Sequence, residues 1–181
     1  RQRQMCKETV INHQVDSEFM DALGKDFAEH FKEYGITKVF TIESSGIAPA
    51  LMTAKYLDVP MYLKETDFKI LNGKVYQTRV TSFTKGTSYE LTLYQDYIDQ
   101  NDKVLLIDDF LANGCALLGL IDIVKKSGAT LEGAGIVIEK GFQHGGQQIR
   151  DMGVRLESLA IIDSMTDDSL TFAINFLGIK I

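Results

Sequence analysis

The chain has few cysteines and no long apolar segment, which argues against a disulfide-rich protein and against a membrane-spanning one. Its 181 residues include only two cysteines, Cys6 and Cys115, too far apart in sequence to suggest a metal-binding spacing or a disulfide framework. No apolar run approaches the roughly 18 residues that a membrane-spanning helix requires, and no signal-peptide pattern begins the sequence. We therefore expect a cytoplasmic protein without a membrane partner.

Basic residues are also fewer than acidic ones. The sequence has 19 Lys and Arg residues against 25 Asp and Glu residues, which gives a formal net charge of −6. This balance argues against a general nucleic-acid-binding surface, which usually appears as clustered Lys and Arg. The three histidines, His13, His30 and His144, have no ligand spacing, so direct metal coordination is not expected. With 45% hydrophobic residues and no repeat or linker, residues 1–181 are predicted to form a single domain.

Predicted helices and strands alternate along most of the chain. The pattern predicts helices over residues 17–34, 48–57, 115–126 and 147–152, and strands over residues 37–42, 59–63, 103–107, 133–138 and 154–160. Such alternation favours an α/β fold with a central, mostly parallel sheet flanked by helices. Residues 78–83 and 88–93 instead alternate in polarity around a short turn, which predicts a β-hairpin inserted into this fold.

The most informative segment runs from Lys103 to Leu117. Four apolar residues predict a buried strand, and Asp108 and Asp109 follow at its carboxyl end, where open α/β sheets bind ligands. Carboxylates repel phosphate, so their expected partners are sugar hydroxyls or a hydrated divalent cation. The small residues that follow can turn backbone N–H groups toward an anion at a helix start. Together these features predict a pocket for ribose 5-phosphate, with an anion loop of Leu111, Ala112, Asn113, Gly114, Cys115 and Ala116.

A second turn has the same position relative to a strand and a helix. Glu43-Ser44-Ser45-Gly46 follows the strand of residues 37–42, so its amides can face another anion, although a plain turn with a serine cap fits the pattern too. Lys64 follows the next strand, in a segment of alternating charge that is equally consistent with a solvated loop.

These segments resemble the type I phosphoribosyltransferases, and within that family the xanthine-using enzymes. The run Leu106-Ile107-Asp108-Asp109-Phe110-Leu111-Ala112-Asn113-Gly114 is similar to their signature. Three further runs match in order: Asn12 to Asp16, Thr41 to Ala50, and Gly135 to Gln143. The resemblance implies a type I phosphoribosyltransferase fold in which the hairpin forms a hood over the active site. It also implies transfer of the 5-phosphoribosyl group from phosphoribosyl pyrophosphate (PRPP) to N9 of xanthine.

The resemblance further implies a role for each candidate residue. Asp108 and Asp109 would hold the ribose hydroxyls, residues 111–116 the 5-phosphate, and Ser44, Ser45, Gly46 and Lys64 the pyrophosphate. Asn12, Lys140 and Phe142 would bind the base, with the lysine donating to an exocyclic oxygen and the ring stacking on the purine. Ser82, Phe83, Thr84 and Lys85 would belong to the hood. Magnesium would enter bound to the substrate, and the enzyme would be a homodimer.

The sequence differs from the usual pattern of this family at two places, and two other functions fit the pattern as well. Ala112 stands where hypoxanthine-guanine enzymes carry a further Asp near the purine, and family members usually have a helical segment ahead of the position of Arg1. An adenine or hypoxanthine-guanine phosphoribosyltransferase is one alternative. The other is a PRPP-sensing regulator that binds DNA, although such regulators carry an appended basic winged-helix domain.

Overall fold

A six-stranded sheet forms the centre of the fold. The computed structural model describes residues 15–64, 73–82, 87–166 and 169–173. The strands are β1 (Lys38–Ile42), β2 (Met61–Lys64), β3 (Val75–Ser82), β4 (Thr87–Tyr94), β5 (Lys103–Leu111), β6 (Thr130–Lys140), β7 (Leu156–Met165) and β8 (Leu170–Phe172). The central sheet has the order β2-β1-β5-β6-β7-β8, and only β8 pairs antiparallel with its neighbour. The mostly parallel sheet predicted from the sequence is therefore confirmed.

The described residues form four α-helices, of which the first precedes β1 and the other three connect strands of this sheet. They are α1 (Ser17–Phe31), α2 (Ile47–Leu57), α3 (Cys115–Ser127) and α4 (Gly145–Asp151). Asp16 caps α1 by accepting hydrogen bonds from the first-turn amides of Glu18 and Phe19 at 3.0 and 3.1 Å. Gly128 ends α3 in the left-handed conformation, with φ of 79°, which glycine adopts without strain. None of the described helices is long and apolar enough to span a membrane.

Each face of the sheet has its own hydrophobic core. On one face, α1 and α2 cover the sheet, and Phe27 and Phe31 pack in the same cluster as Leu105 and Ile107 of β5. On the other face, α3 and the hairpin pack in a cluster that includes Leu106. The strand β5 is buried on both faces, as its continuous apolar run predicts.

The predicted hairpin is a separate two-stranded sheet of β3 and β4. Its apolar residues Val80 and Leu91 are buried, and Gly119 of α3 permits their close approach. A Cβ atom at position 119 would lie 2.5 Å from Leu91 Cδ1, so only glycine lets the hairpin pack this closely. The hairpin is thus attached to the helix that follows β5.

Several element bounds differ from the prediction. The central strand β5 continues through Asp108 and Asp109 to Leu111, because residues 108–111 remain paired with β6. The anion loop is correspondingly shorter: Leu111 belongs to the strand, while Cys115 and Ala116 form the first turn of α3. The antiparallel strand β8 was not predicted, since its three residues carry no distinct alternation. Asn12, Phe83, Thr84 and Lys85 lie outside the described residues.

Candidate active site

Two loops meet at the point where the strand order reverses. From β1 the chain continues to β2 on one side, whereas β5 leads to β6 on the other side. β1 and β5 are adjacent and parallel, so residues 43–46 after β1 and residues 112–114 after β5 lie at the same edge of the sheet. Open α/β sheets bind ligands at this kind of reversal. Both loops predicted to bind anions therefore border one site.

Gly46 allows the loop of residues 43–46 to pack closely against Asp108. A Cβ atom at position 46 would lie 2.8 Å from Oδ1 of Asp108 and would also contact the hydroxyl of Thr41. This close approach requires glycine for steric reasons, since the backbone φ of −68° is ordinary. Ser44 is exposed and Ser45 is half-buried. The loop can therefore offer its serines to a ligand beside Asp108.

The two carboxyl groups are crowded and partly removed from water. Asp109 is only 8% exposed, and its backbone N–H donates to Oδ1 of Asp108 at 3.0 Å. Burial and the neighbouring Asp109 carboxyl raise the pKa of Asp108 well above its usual value of 3.8. A hydroxyl donor or a cation arriving at this pair would relieve the repulsion. Among the described residues, no group of three or more His, Cys, Asp and Glu side chains could hold a metal ion directly.

An open cavity lies over the start of α3. It encloses about 510 Å³, including space continuous with solvent, and contains Asp108 together with the whole predicted anion loop. Its other lining residues are Phe110, Leu117 and Tyr89. Gly114 precedes α3 in the left-handed conformation, with φ of 78°, so the backbone turns sharply at the helix start. Residues 111–116, predicted as the anion loop, all line this one cavity, and Tyr89 joins them although the sequence prediction did not name it.

The first residue of α4, Gly145, contacts the backbone of the anion loop. The Gly145 N–H donates to the carbonyl oxygen of Ala112 at 3.1 Å, and a Cβ atom at position 145 would lie 2.7 Å from the Gly114 nitrogen. Gly145 thus permits two backbones to touch at the loop. The sequence prediction did not assign this role, although the Gly145-Gly146 pair is a signal of close backbone approach.

A buried ion pair fixes α4 to the sheet. Glu139 of β6 is 3% exposed, and Arg150 of α4 donates to both of its carboxylate oxygens at 2.7 Å. The Ser158 hydroxyl donates a further hydrogen bond to the same carboxylate. Burial raises the pKa of Glu139, but the hydrogen bonds from Arg150 and Ser158 outweigh it and hold this pKa below its ordinary 4.5. The pair therefore positions the helix whose first residue supports the anion loop.

We expect Glu139→Gln to lower the free energy of unfolding by about 2 kcal/mol. Removing one partner of a buried pair costs about 3–5 kcal/mol, and the loss is smaller here because the Arg150 side chain is 37% exposed and can be hydrated. Urea unfolding at pH 7 measures the difference. Because folding lowers the pKa of Glu139 below its ordinary 4.5, the loss should shrink as the pH falls below 4.5 and the wild-type carboxylate becomes protonated.

The matched control is Glu157→Gln, which removes a more exposed ion pair with Arg155. We expect a change of less than about 1 kcal/mol, as is usual for pairs near the surface. Equal losses for the two variants would contradict the role given to Glu139.

Three of the remaining predicted residues lie at the same edge of the central sheet, and the fourth, Ser82, lies in the hairpin. Lys140 ends β6 and is half-buried, and Phe142 is 45% exposed in the turn that follows. Lys64 ends β2, where its backbone pairs with Ile42 just before the first loop. Ser82 ends β3. Neither Lys140 nor Phe142 is among the described residues that line the cavity over α3, whereas all six predicted 5-phosphate residues are.

Comparison with solved structures defines the fold family. Adenine phosphoribosyltransferase from Trypanosoma brucei, in complex with AMP, pyrophosphate and ribose-5-phosphate, superposes with a TM-score of 0.73 over 91% of this chain and 73% of that chain, at 24% identity. The adenine phosphoribosyltransferase from Thermoanaerobacter pseudethanolicus gives 0.70 over 81% of each chain at 18% identity. At these identities the likeness concerns the fold. The chain therefore has the fold of the phosphoribosyltransferases, and its two loops lie at the strand reversal of that fold.

Sequence comparison narrows the family further. The chain is 54% identical to xanthine phosphoribosyltransferase 1 from Clostridium botulinum, over 91% of this chain and 87% of that protein. It is 49% identical to the xanthine phosphoribosyltransferase from Oceanobacillus iheyensis, over 91% of this chain and 86% of that protein. No protein-family model matches. The chain belongs to the xanthine phosphoribosyltransferase family.

Proposed function

We propose that the protein transfers the 5-phosphoribosyl group of PRPP to N9 of xanthine, giving xanthosine monophosphate and pyrophosphate. The observation that carries this proposal is the contact between Gly46 and Asp108, which joins the loop after β1 to the acidic pair of β5. A ligand with two phosphate-bearing ends and a ribose between them fits this arrangement. Kinship with the Clostridium botulinum xanthine enzyme supports xanthine as the base.

Each part of PRPP has a chemically suitable partner. Asp108 and Asp109 accept hydrogen bonds from the ribose hydroxyls, and residues 112–116 direct amides and a helix start toward the 5-phosphate. Ser44, Ser45 and Gly46, with Lys64 nearby, receive the pyrophosphate. Ribose hydroxyls are also the donors that best relieve the crowding of the two carboxyl groups.

The reaction exchanges one bond at C1 of the ribose for another. N9 of the base attacks this carbon as the bond to the pyrophosphate oxygen breaks, and the departing pyrophosphate takes the electron pair. The N9 proton is lost to solvent, because Ala112 supplies no carboxylate where related enzymes have one. Xanthine is an acidic purine, so its anion forms without a dedicated base. Catalysis then rests on positioning and on neutralising the leaving group.

We also propose that the enzyme uses substrate-bound magnesium, that it is a homodimer, and that it acts in the cytoplasm. Magnesium would enter bound to the substrate, and the carboxylate oxygens of Asp108 and Asp109 would favour a divalent cation beside the ribose. A homodimer is supported by large apolar side chains exposed on α1 and α2, namely Phe19, Leu51 and Tyr56. Light scattering should therefore give twice the mass of one chain.

The base preference is the experiment that tests this function. We expect kcat/KM to be highest for xanthine, lower for hypoxanthine and guanine, and undetectable for adenine. Lys140 donates to the oxygen on C6, which adenine replaces with an amine, so two donors would face each other. Measurement requires initial rates with each base at fixed PRPP and magnesium. A preference for guanine or adenine would contradict the assignment.

A variant of Asn12 tests the origin of this preference. The Asn12 amide donates to the oxygen on C2 that distinguishes xanthine, and leaving such a group unpaired costs about 1–3 kcal/mol. We therefore expect Asn12→Ala to lower kcat/KM for xanthine roughly ten- to a hundredfold while changing hypoxanthine much less. Equal losses for both bases would mean that Asn12 only supports the fold.

A further inference from the structure

Tyr89 is a polar residue at the end of an apolar row. Along β4, Tyr89, Leu91 and Leu93 alternate with the more exposed residues Ser88, Glu90 and Thr92. Leu91 and Leu93 are buried in the core that contains α3. Tyr89 continues their row beyond the core, where it is half-buried and lines the cavity over the anion loop. The hairpin therefore contributes a hydroxyl to a cavity otherwise formed by β5 and α3.

The anion cavity contains few other side-chain donors. Among its described lining residues there is no Lys or Arg, and besides Tyr89 only Asn113 and Cys115 carry a side-chain hydrogen that can be donated. Asp108 in the same cavity supplies no positive charge. An anion held here depends on hydrogen bonds more than on opposite charge, so each donor matters.

The Tyr89 hydroxyl keeps its proton in this environment. Burial, followed by the nearby Asp108 and Cys115, raises the pKa of Tyr89 above its usual 10.0. No hydrogen bond from this hydroxyl is found within the described part of the chain. The group is thus a protonated donor at the anion loop.

We propose that Tyr89 donates a hydrogen bond to the 5-phosphate of bound PRPP and so links the hairpin to the anion loop. This inference rests on the proposed function, because it assigns a residue to the 5-phosphate subsite of that reaction. The close packing of the hairpin on α3 at Gly119 holds Tyr89 beside the anion loop.

Ribose 5-phosphate and pyrophosphate are the probes that test this assignment. We expect Tyr89→Phe to weaken ribose 5-phosphate binding about ten- to a hundredfold, the usual cost of a hydrogen bond to a charged group. Pyrophosphate binding should change less than about twofold, since that ligand belongs to the loop of residues 43–46. In turnover, KM for PRPP should rise while kcat stays within about threefold. Titration calorimetry and initial rates provide these values.

The matched control is Tyr76→Phe, which removes a hydroxyl from β3 of the same hairpin but outside the cavity. It should leave the binding of both probes unchanged. Unaltered ribose 5-phosphate binding by Tyr89→Phe would overturn the inference, as would equal weakening of both probes. If the wild-type protein binds neither probe, the proposed function itself fails.

Discussion

Replacing both acidic residues, Asp108→Asn with Asp109→Asn, should lower kcat/KM by about a thousandfold or more. Each carboxylate accepts hydrogen bonds from substrate hydroxyls, and two charged hydrogen bonds at about 1.5–3 kcal/mol each correspond to this loss. Initial rates of nucleotide formation measure the effect, and circular dichroism checks that the variant is folded. Near-normal turnover would show that the ribose lies elsewhere.

The single variant Asp108→Asn separates loss of function from loss of folding. Folding raises the pKa of Asp108, so the folded state binds the proton more tightly and the charged form destabilises it. Wild-type stability therefore declines, relative to the neutral Asn variant, as pH rises through the interval above 3.8. We expect the ligand-free variant to melt at a higher temperature than wild type at pH 8, with a smaller difference at pH 4. A lower melting temperature at pH 8 would contradict the proposed crowding.

Gly114→Val should raise KM for PRPP by about a hundredfold while changing KM for the base less than about threefold. The position has φ of 78°, and a Cβ atom would lie 3.2 Å from Cα of Gly145. A β-branched residue must therefore shift the anion loop, and a displacement near 1 Å can cost about a hundredfold. Initial rates with each substrate varied in turn provide the two constants.

Gly153→Val controls for backbone strain at a positive φ. Gly153 ends the α4 segment with φ of 77°, but a Cβ atom there would meet nothing within 4 Å. This variant should lose stability to a similar degree and keep its KM for PRPP. If Gly153→Val weakens PRPP binding as much as Gly114→Val, general destabilisation explains both variants and the anion-loop assignment is wrong.

The sequence predicted the elements well where one periodicity dominated. The apolar run of residues 104–107 indicated β5, because burial of a strand on both faces is encoded in consecutive residues. The predicted end of β5 was wrong because the polar residues Asp108 and Asp109 interrupt the apolar run. The strand continues there by pairing with β6, and this pairing depends on residues distant in sequence. The strand β8 was missed because a segment of three residues is too short to establish an alternation of polar and apolar side chains.

The candidate site was predictable in its residues but not in its contacts. Asp108 and the anion loop are contiguous in sequence, so one motif indicated them together. Three other residues act between elements that are distant in sequence. Tyr89 reaches the cavity from the hairpin, Gly145 of α4 contacts the anion loop, and Glu139 of β6 binds Arg150 of α4. Their roles follow from the packing of the hairpin and α4, which no local pattern encodes.

The most direct test of the central claim is product analysis after incubating the protein with xanthine, PRPP and magnesium. The proposed reaction predicts stoichiometric xanthosine monophosphate and pyrophosphate, identified by chromatography and mass spectrometry. It also predicts no product above background from the Asp108→Asn and Asp109→Asn double variant. Absence of xanthosine monophosphate with the wild-type protein, under conditions where PRPP remains intact, would contradict the claim.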